Sequence, residues 1–270
     1  MQVFNVSRGD RFELSSTSKG NQTKWVVGNK FLKADTMGYE SIAEVLATEV
    51  EKAIDGIDYV NYFLCKMVED GTKSYYGCMS DIFTSKDESI ISLYSILKKY
   101  YGGERVLKEN LRGIEGIDLV NIIITVVSSV TGISYIDIKN YLSTIVKLDA
   151  ILLNEDRHLN NIALIKNSNG AYKFCPIFDN GLSFLSDTND YPLDKKGVSH
   201  KISRVKSQPF SKDWRKQIRY FDDCDLLHID INYLRYRLEN YTVEFKETEY
   251  KRALEVLKIR LKTLKGVAWE

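Results

Sequence analysis

The sequence predicts an α+β fold in which a small β-rich part comes first and a larger helical part follows. Three observations carry this. Residues 2–81 hold short runs of β-branched and aromatic residues separated by turn signals such as Gly28-Asn29 and Asp70-Gly71, the pattern of an antiparallel sheet. From residue 88 onward apolar residues recur at helical spacing, ending in a stripe at Leu254, Leu257, Leu261 and Leu264. Between residues 154 and 181 polar clusters interrupt the apolar runs, and the chemistry-bearing side chains gather there.

Composition bounds the function. The 270 residues are 44% hydrophobic and 28% charged, enough for a core in each part. Lys and Arg total 38 against 37 Asp and Glu, and a net charge of +1 gives no reason to expect a nucleic-acid or membrane-surface partner. Cys65, Cys78, Cys175 and Cys224 lack metal-ligand or disulfide spacing and read as buried, reduced thiols of a cytoplasmic protein. The first residues lack the basic start and apolar core of a signal peptide. The apolar run 117–133 is broken by Asp118, Asn121 and two serines, which suits a buried helix rather than a membrane span.

Taken in order, residues 2–14 begin the sheet. Ser15, Ser16, Thr17, Ser18, Lys19, Gly20, Thr23 and Lys24 then belong to a polar loop between strands. Such a loop is either a solvated hairpin turn or a cover for phosphates, supplied by backbone amides, Lys19 and Lys24. Residues 25–34 read as a tight hairpin that sets Lys33 beside Phe31 and Leu32 near a strand end. There it is an edge charge or a ligand contact. Residues 39–54 form a helix with Ile42, Val45, Leu46, Val50, Ala53 and Ile54 on one stripe. Glu44 lies beside that stripe and can turn inward to a strand lysine, with Glu40 and Glu49 as rivals, whereas Glu51 falls on the solvated face. Strands over 59–67 and 74–79 complete the sheet, and the chain crosses at Cys78 to Asp81, where fold-level analogy alone puts a hinge at Met79 and Asp81. The boundary falls near residue 82, giving parts 1–82 and 83–270. Helices follow over 88–101, 104–111, 116–129 and 136–152.

The last of these helices delivers Asn154-Glu155-Asp156-Arg157-His158 and then Asn160-Asn161. A hairpin between Ile162 and Ile177, turning at Asn167-Ser168-Asn169-Gly170, returns Asp179 to the neighbourhood of Asn161. Phosphoryl transfer needs a carboxylate to orient and deprotonate an attacking hydroxyl, and oxygen ligands for the magnesium on the nucleotide phosphates. Asp156 suits the first task, and Asn161 with Asp179 the second. Singly, each is as well read as a turn former or helix cap; their order and spacing favour chemistry.

Asn154-x-Asp156-Arg157-His158-x-x-Asn161, followed by Ile177-Phe178-Asp179-Asn180-Gly181, resembles the catalytic and metal-binding loops of the HipA-like serine/threonine protein kinases. The resemblance implies a divergent two-lobed protein-kinase-like fold, with a small antiparallel β-rich N-lobe and a larger helical C-lobe, using ATP and Mg2+. It implies Asp156 as catalytic base, a Lys33–Glu44 ion pair with Lys33 on the nucleotide phosphates, and magnesium on Asn161 and Asp179. Ser18, Lys19, Gly20 and Lys24 would cover the phosphates, and Met79 and Asp81 would flank the adenine. His158 either contacts the nucleotide or packs to hold its loop. Autophosphorylation is expected within Ser15, Ser16, Thr17, Ser18 and Thr23.

The chain corresponds to a short form, with almost no room for the extra subdomain that precedes the phosphate loop in many family members. Implied partners are a protein substrate, such as an aminoacyl-tRNA synthetase or another translation component, and an antitoxin or small companion protein, since the larger members act as toxins. Direct nucleic-acid or membrane binding is not expected. Phosphatidylinositol kinases share the Asp-Arg-His-x-x-Asn loop, so a small-molecule or lipid kinase stays an alternative, as does a nucleotide-binding pseudokinase. Residues 184–205 correspond to an activation or substrate-binding segment whose Lys195, Lys196, Lys201 and Arg204, with Lys206, make a basic run, either solvated or a recognition surface.

Overall fold

The computed structural model describes residues 1–11, 22–194, 197–225 and 227–264. Ser15, Ser16, Thr17, Ser18, Lys19 and Gly20 of the expected phosphate loop, and Lys195 and Lys196 of the basic run, lie outside the described residues.

The expected order of a β-rich part and then a helical part is the one observed. Strands β1 (Gln2–Val6), β2 (Lys24–Val27), β3 (Lys30–Ala34), β4 (Phe63–Glu69) and β5 (Lys73–Asp81) form one sheet in the order β1-β4-β5-β3-β2. Gly28 (φ +60°) and the Asp70-Gly71 pair (φ +50° and +70°) adopt the left-handed backbone that tight hairpin turns require. One pairing departs from the antiparallel expectation: β1 runs parallel to β4, with Gln2 opposite Cys65 and Val6 opposite Glu69. Strands β2 and β3 and helix α1 (Glu40–Glu51) intervene between the two, so no short hairpin dictates their direction.

Helix α1 does not keep a solvated face; all twelve of its residues are buried. Val45 packs with Val60, Tyr62 and Cys78 from the sheet side. Ile42, Leu46 and Val50 instead belong to the large core shared with the helical part. The helix therefore joins two bodies of apolar packing, and its glutamates need partners inside the protein.

A second sheet of β6 (Glu88–Ser92), β7 (Ala163–Asn167) and β8 (Tyr172–Phe174) lies at the junction. The helix expected over 88–101 starts only at Leu93, as α2 (Leu93–Tyr100). Ser92 stops the strand and caps the helix by accepting the Ser95 amide, while Ile90 pairs opposite Ile165. Helices α3 (Glu104–Asn110), α4 (Gly116–Thr131) and α5 (Tyr135–Leu152) follow. Ile123, Ile124 and Val127 of α4 and Leu142, Val146 and Ile151 of α5 are buried in the main core. Ser134 caps α5 through the Asp137 amide, and Leu153 leaves its end with a left-handed φ of 59°. That reversal starts the loop carrying Asp156. Helices α6 (Val198–Ile202), α7 (Trp214–Arg219), α8 (Ile231–Glu239) and α9 (Glu247–Thr263) follow, with Leu257 and Leu264 buried against the core. Among the described residues, no helix is long and apolar enough to cross a membrane.

Candidate active site

Three elements meet at one ammonium group. Lys33 near the end of β3 places Nζ 2.8 Å from Glu44 Oε1 on α1 and 2.8 Å from Asp179 Oδ1 in the loop after β8. Its Nζ also lies 5.0 Å from the centre of the Tyr62 ring. Burial works against the lysine's charge, but Asp179 and Glu44 hold it well above the ordinary lysine range. Burial likewise opposes ionisation of Asp179, yet Lys33 and Lys24 hold its carboxyl far below the usual range. Glu44 is raised, by burial and then by Asp179, against the pull of Lys33. Of the rival glutamates, Glu40 accepts the amides of Thr36, Met37 and Gly38, and Glu49 pairs with Lys52 and Arg237.

The catalytic-loop candidates are held by a side chain whose role the sequence left open. Arg157 is fully buried. Its Nε donates to both oxygens of Asp149 at 3.1 and 3.0 Å, and its Nη1 donates to the carbonyls of Asn161 and Phe178 at 3.0 and 2.6 Å. One guanidinium thus ties the end of α5 to the loop of Asp156 and to the loop of Asp179. Asn154 turns the same loop, donating to Asp149 and accepting the Asp156 amide at 3.1 Å. Asn161 Nδ2 donates to the Asp156 carbonyl at 3.0 Å, which fixes the orientation of its side-chain amide.

Asn180 and Glu51 were not anticipated as part of this network. The Asn180 amide donates to Glu44 Oε2 at 2.9 Å, its Nδ2 donates to Glu51 Oε1 at 3.0 Å, and its Oδ1 accepts from Arg157 Nη2. Glu51, expected on a solvated face, is fully buried because the helical part covers that side of α1. Burial, and then the charge of Glu44, pushes its carboxyl well above the ordinary range. Asp179 itself has φ +62°, a conformation Asp tolerates better than most residues.

A cleft of about 640 Å³ opens beside this cluster. Lys24, Lys33, Asn161 and Asp179 line its polar end, and Val26, Phe31, Ile82, Phe83, Ile90 and Phe178 supply apolar walls. Lys24 stands opposite Lys33 in the β2–β3 pairing. Burial, and then the neighbouring Lys33, pulls its ammonium below the ordinary lysine range. Asp81 lies at the rim, bonded to Asn29 and Lys30 at 3.0 and 2.6 Å.

Met79 corrects the expected hinge. It packs with the cluster of Trp25, Leu32 and Met67, not in the cleft, because strand β5 continues to Asp81 and alternation turns Ser80 toward the cleft instead. The connection 82–87, signalled only by the apolar pair Ile82-Phe83, supplies the wall. Asp156 and His158 are not among the cleft-lining residues. Asp156 stands one hydrogen bond behind Asn161, and His158 donates its amide to the Asp156 carbonyl at 2.9 Å. The His158 Nε2 lies 3.9 Å from Asp156 Oδ2, so the histidine braces the loop rather than lining the cleft. Thr23 accepts the Ala34 amide at the start of β2. The start of the 184–205 segment is not a solvated loop: Phe184, Leu185, Ser186 and Asp187 are buried. Tyr39 donates its amide to Ser186, and Thr188 donates its own to Met37, which ties the segment to the entry of α1.

No protein-family model and no curated protein matches the sequence. Among solved structures, the chain is similar to the proinflammatory kinase CtkA of Helicobacter pylori. The TM-score is 0.66 at 16% identity, covering 98% of this chain and 96% of that one. It is also similar to HipA of Shewanella oneidensis MR-1, solved with HipB and operator DNA as a toxin–antitoxin system, with a TM-score of 0.53 at 14% identity. That match covers 95% of this chain and 65% of HipA, so the chain spans just under two thirds of HipA's length. These likenesses show the fold, a two-part kinase-like architecture common to all three.

Proposed function

We propose that this chain is an ATP- and magnesium-dependent serine/threonine protein kinase of the HipA-like type. The observation that carries the reading is the meeting of Lys33, Glu44 and Asp179 at 2.8 Å contacts at the polar end of the cleft. A buried lysine held between a helix glutamate and a loop aspartate is the arrangement phosphoryl-transfer sites use to bind and orient nucleotide phosphates. The cleft volume falls in the range of pockets that enclose a small ligand, and its apolar walls suit a planar base.

The residues present fit the cofactors. Asp179 and Asn161 offer hard oxygen donors, as magnesium prefers. Among the described residues no cluster of three or more His, Cys, Asp or Glu could hold a metal unaided, and a magnesium that shares nucleotide phosphates needs only one or two protein ligands. Bound there, magnesium would neutralise charge on the transferred phosphoryl group. The protein's own part is positional and protonic. Lys33 and Lys24 draw the phosphates to the polar end, and the Arg157 network fixes the Asp156 loop against the Asp179 loop. Asp156 orients the acceptor hydroxyl and takes its proton.

A protein acceptor, autophosphorylation within 15–23, and a small companion protein belong to the same reading, supported by the motif resemblance and the fold. The test is transfer of the ATP γ-phosphate with magnesium to the protein itself and to a generic protein substrate, comparing wild type with Asp156→Asn. Label on serine or threonine that falls by about 10²- to 10⁴-fold in the variant is expected for loss of a general base. Unchanged turnover in Asp156→Asn would sink the mechanism. ATP binding without any label would turn the reading to a small-molecule kinase or a pseudokinase.

A further inference from the structure

Helix α1 carries Glu44, so whatever fixes α1 fixes the Lys33–Glu44 contact. Its entry turn is held by Asp35, just past the end of β3. One carboxylate oxygen accepts the Ser41 amide at 2.6 Å and the other accepts the Ser41 hydroxyl at 2.8 Å. The carboxylate that caps this turn is in turn bound by Lys246, whose Nζ lies 2.6 Å from Asp35 Oδ2 and also donates to the Gly38 carbonyl. Lys246 comes from the far end of the chain, in the short segment between α8 and α9. The same segment stacks Phe245 on Tyr76 of β5, with ring centres 4.6 Å apart and planes at 28°. It also packs Tyr241 against the Val45, Val60, Tyr62 and Cys78 cluster between α1 and the sheet. Tyr241, Val243 and Phe245 are half-buried while Thr242 and Glu244 are exposed, the alternation of a strap lying along a surface.

The turn that Lys246 grips also meets the segment after Asp179. A Cβ at Gly38 would sit 2.1 Å from the Ser186 carbonyl, and the Tyr39 amide donates to that carbonyl at 3.2 Å. Pressure on residues 35–39 therefore reaches both partners of Lys33, Glu44 through α1 and Asp179 through the following segment. We propose that residues 241–246 are a built-in clamp, with Tyr241, Phe245 and Lys246 as positioning residues that hold α1 where Glu44 meets Lys33. As a statement about catalysis the inference rests on the kinase reading; as a statement about α1 it does not.

The experiment combines hydrogen exchange with kinetics on the full chain, comparing wild type, Lys246→Ala, Lys246→Arg and Phe245→Ala. In Lys246→Ala and Phe245→Ala, amides of residues 40–51 are expected to exchange about tenfold faster while those of α5 keep their protection. A reduced population of the paired state lowers kcat by about tenfold with a change in KM for ATP below about threefold, and Lys246→Arg restores most of both. Unchanged protection of residues 40–51, or a uniform rise across the whole chain, overturns the clamp. Faster exchange confined to 40–51 with full kcat overturns the positioning role. A wild type that transfers no phosphate overturns the kinase reading alone, and the clamp is then judged on the exchange of residues 40–51.

Discussion

At the scale of single residues, the site is organised by charges that cannot be solvated. Arg157 and Asp149 are each fully buried, and each supplies the opposite charge the other needs there. Arg157→Met should cost about 3–5 kcal/mol, since it leaves the Asp149 carboxylate uncompensated. Denaturant unfolding of the variant checks this, and Arg157→Lys should recover only part because one ammonium cannot span Asp149, Asn161 and Phe178 together. Lys24 differs, because its depressed ammonium lines the cleft and, among the described residues, no carboxylate forms an ion pair with it as Glu44 and Asp179 do with Lys33. A lysine with a lowered pKa sheds its proton earlier as pH rises, so attraction for an anionic ligand weakens in that direction. ATP affinity should therefore begin to fall at a lower pH than an ordinary lysine would set, and Lys24→Arg, which stays charged throughout, should flatten that slope. Calorimetric titration at several pH values reads it.

At the scale of elements, two close approaches set the geometry. Gly77 on β5 lies opposite Ala34 of β3, and a Cβ there would come within 1.9 Å of the Lys33 carbonyl. Gly77→Ala must push the two strands apart where Lys33 is held, at a cost of about 1–3 kcal/mol. Thermal unfolding should show the loss, and transfer activity should fall further than stability alone explains. Helix α1 shows why one apolar stripe under-describes a helix. The stripe through Ile42, Val45, Leu46 and Val50 was legible in the sequence, yet burial on all sides gave Glu40, Glu44, Glu49 and Glu51 partners inside the protein, with Asn180 serving both Glu44 and Glu51. Strand β6 teaches the same about boundaries: Ile90 and Ile91 fit either period, and pairing with β7 chose the strand.

At the scale of the whole molecule, the candidate site sits where the two parts meet, and the packing does not divide there. Ile42, Leu46 and Val50 of α1 share a core with Ile124, Leu142 and Leu257 of the helical part. A fragment ending at residue 82 would strip α1 of that cover and expose Glu44 and Glu51 with it. Such a fragment should show no cooperative thermal transition by circular dichroism, whereas the full chain should unfold in a single one. Removal of magnesium by a chelator should leave that transition in place, because Lys33, Glu44 and Asp179 already satisfy one another; an apo chain that melts well below the metal-loaded one in the absence of nucleotide would contradict this.

What the sequence by itself determined is what local chemistry dictates. The turns at Gly28-Asn29 and Asp70-Gly71, the capped and periodic helix ending at Leu152, and the hairpin that brings Asp179 back toward Asn161 all follow from neighbours a few residues apart. The tertiary structure decided what depends on partners remote in the chain. It gave the rivals Glu40 and Glu49 other partners, buried Glu51 beside Asn180, turned Arg157 inward to Asp149, packed Met79 with Trp25 and Met67, ran β1 parallel to β4, and laid Phe245 and Lys246 across the start of α1. The reason is energetic. A polar group inside a protein must find its complement wherever the fold brings one, and periodicity records which residues are apolar, not which distant charge will stand beside them.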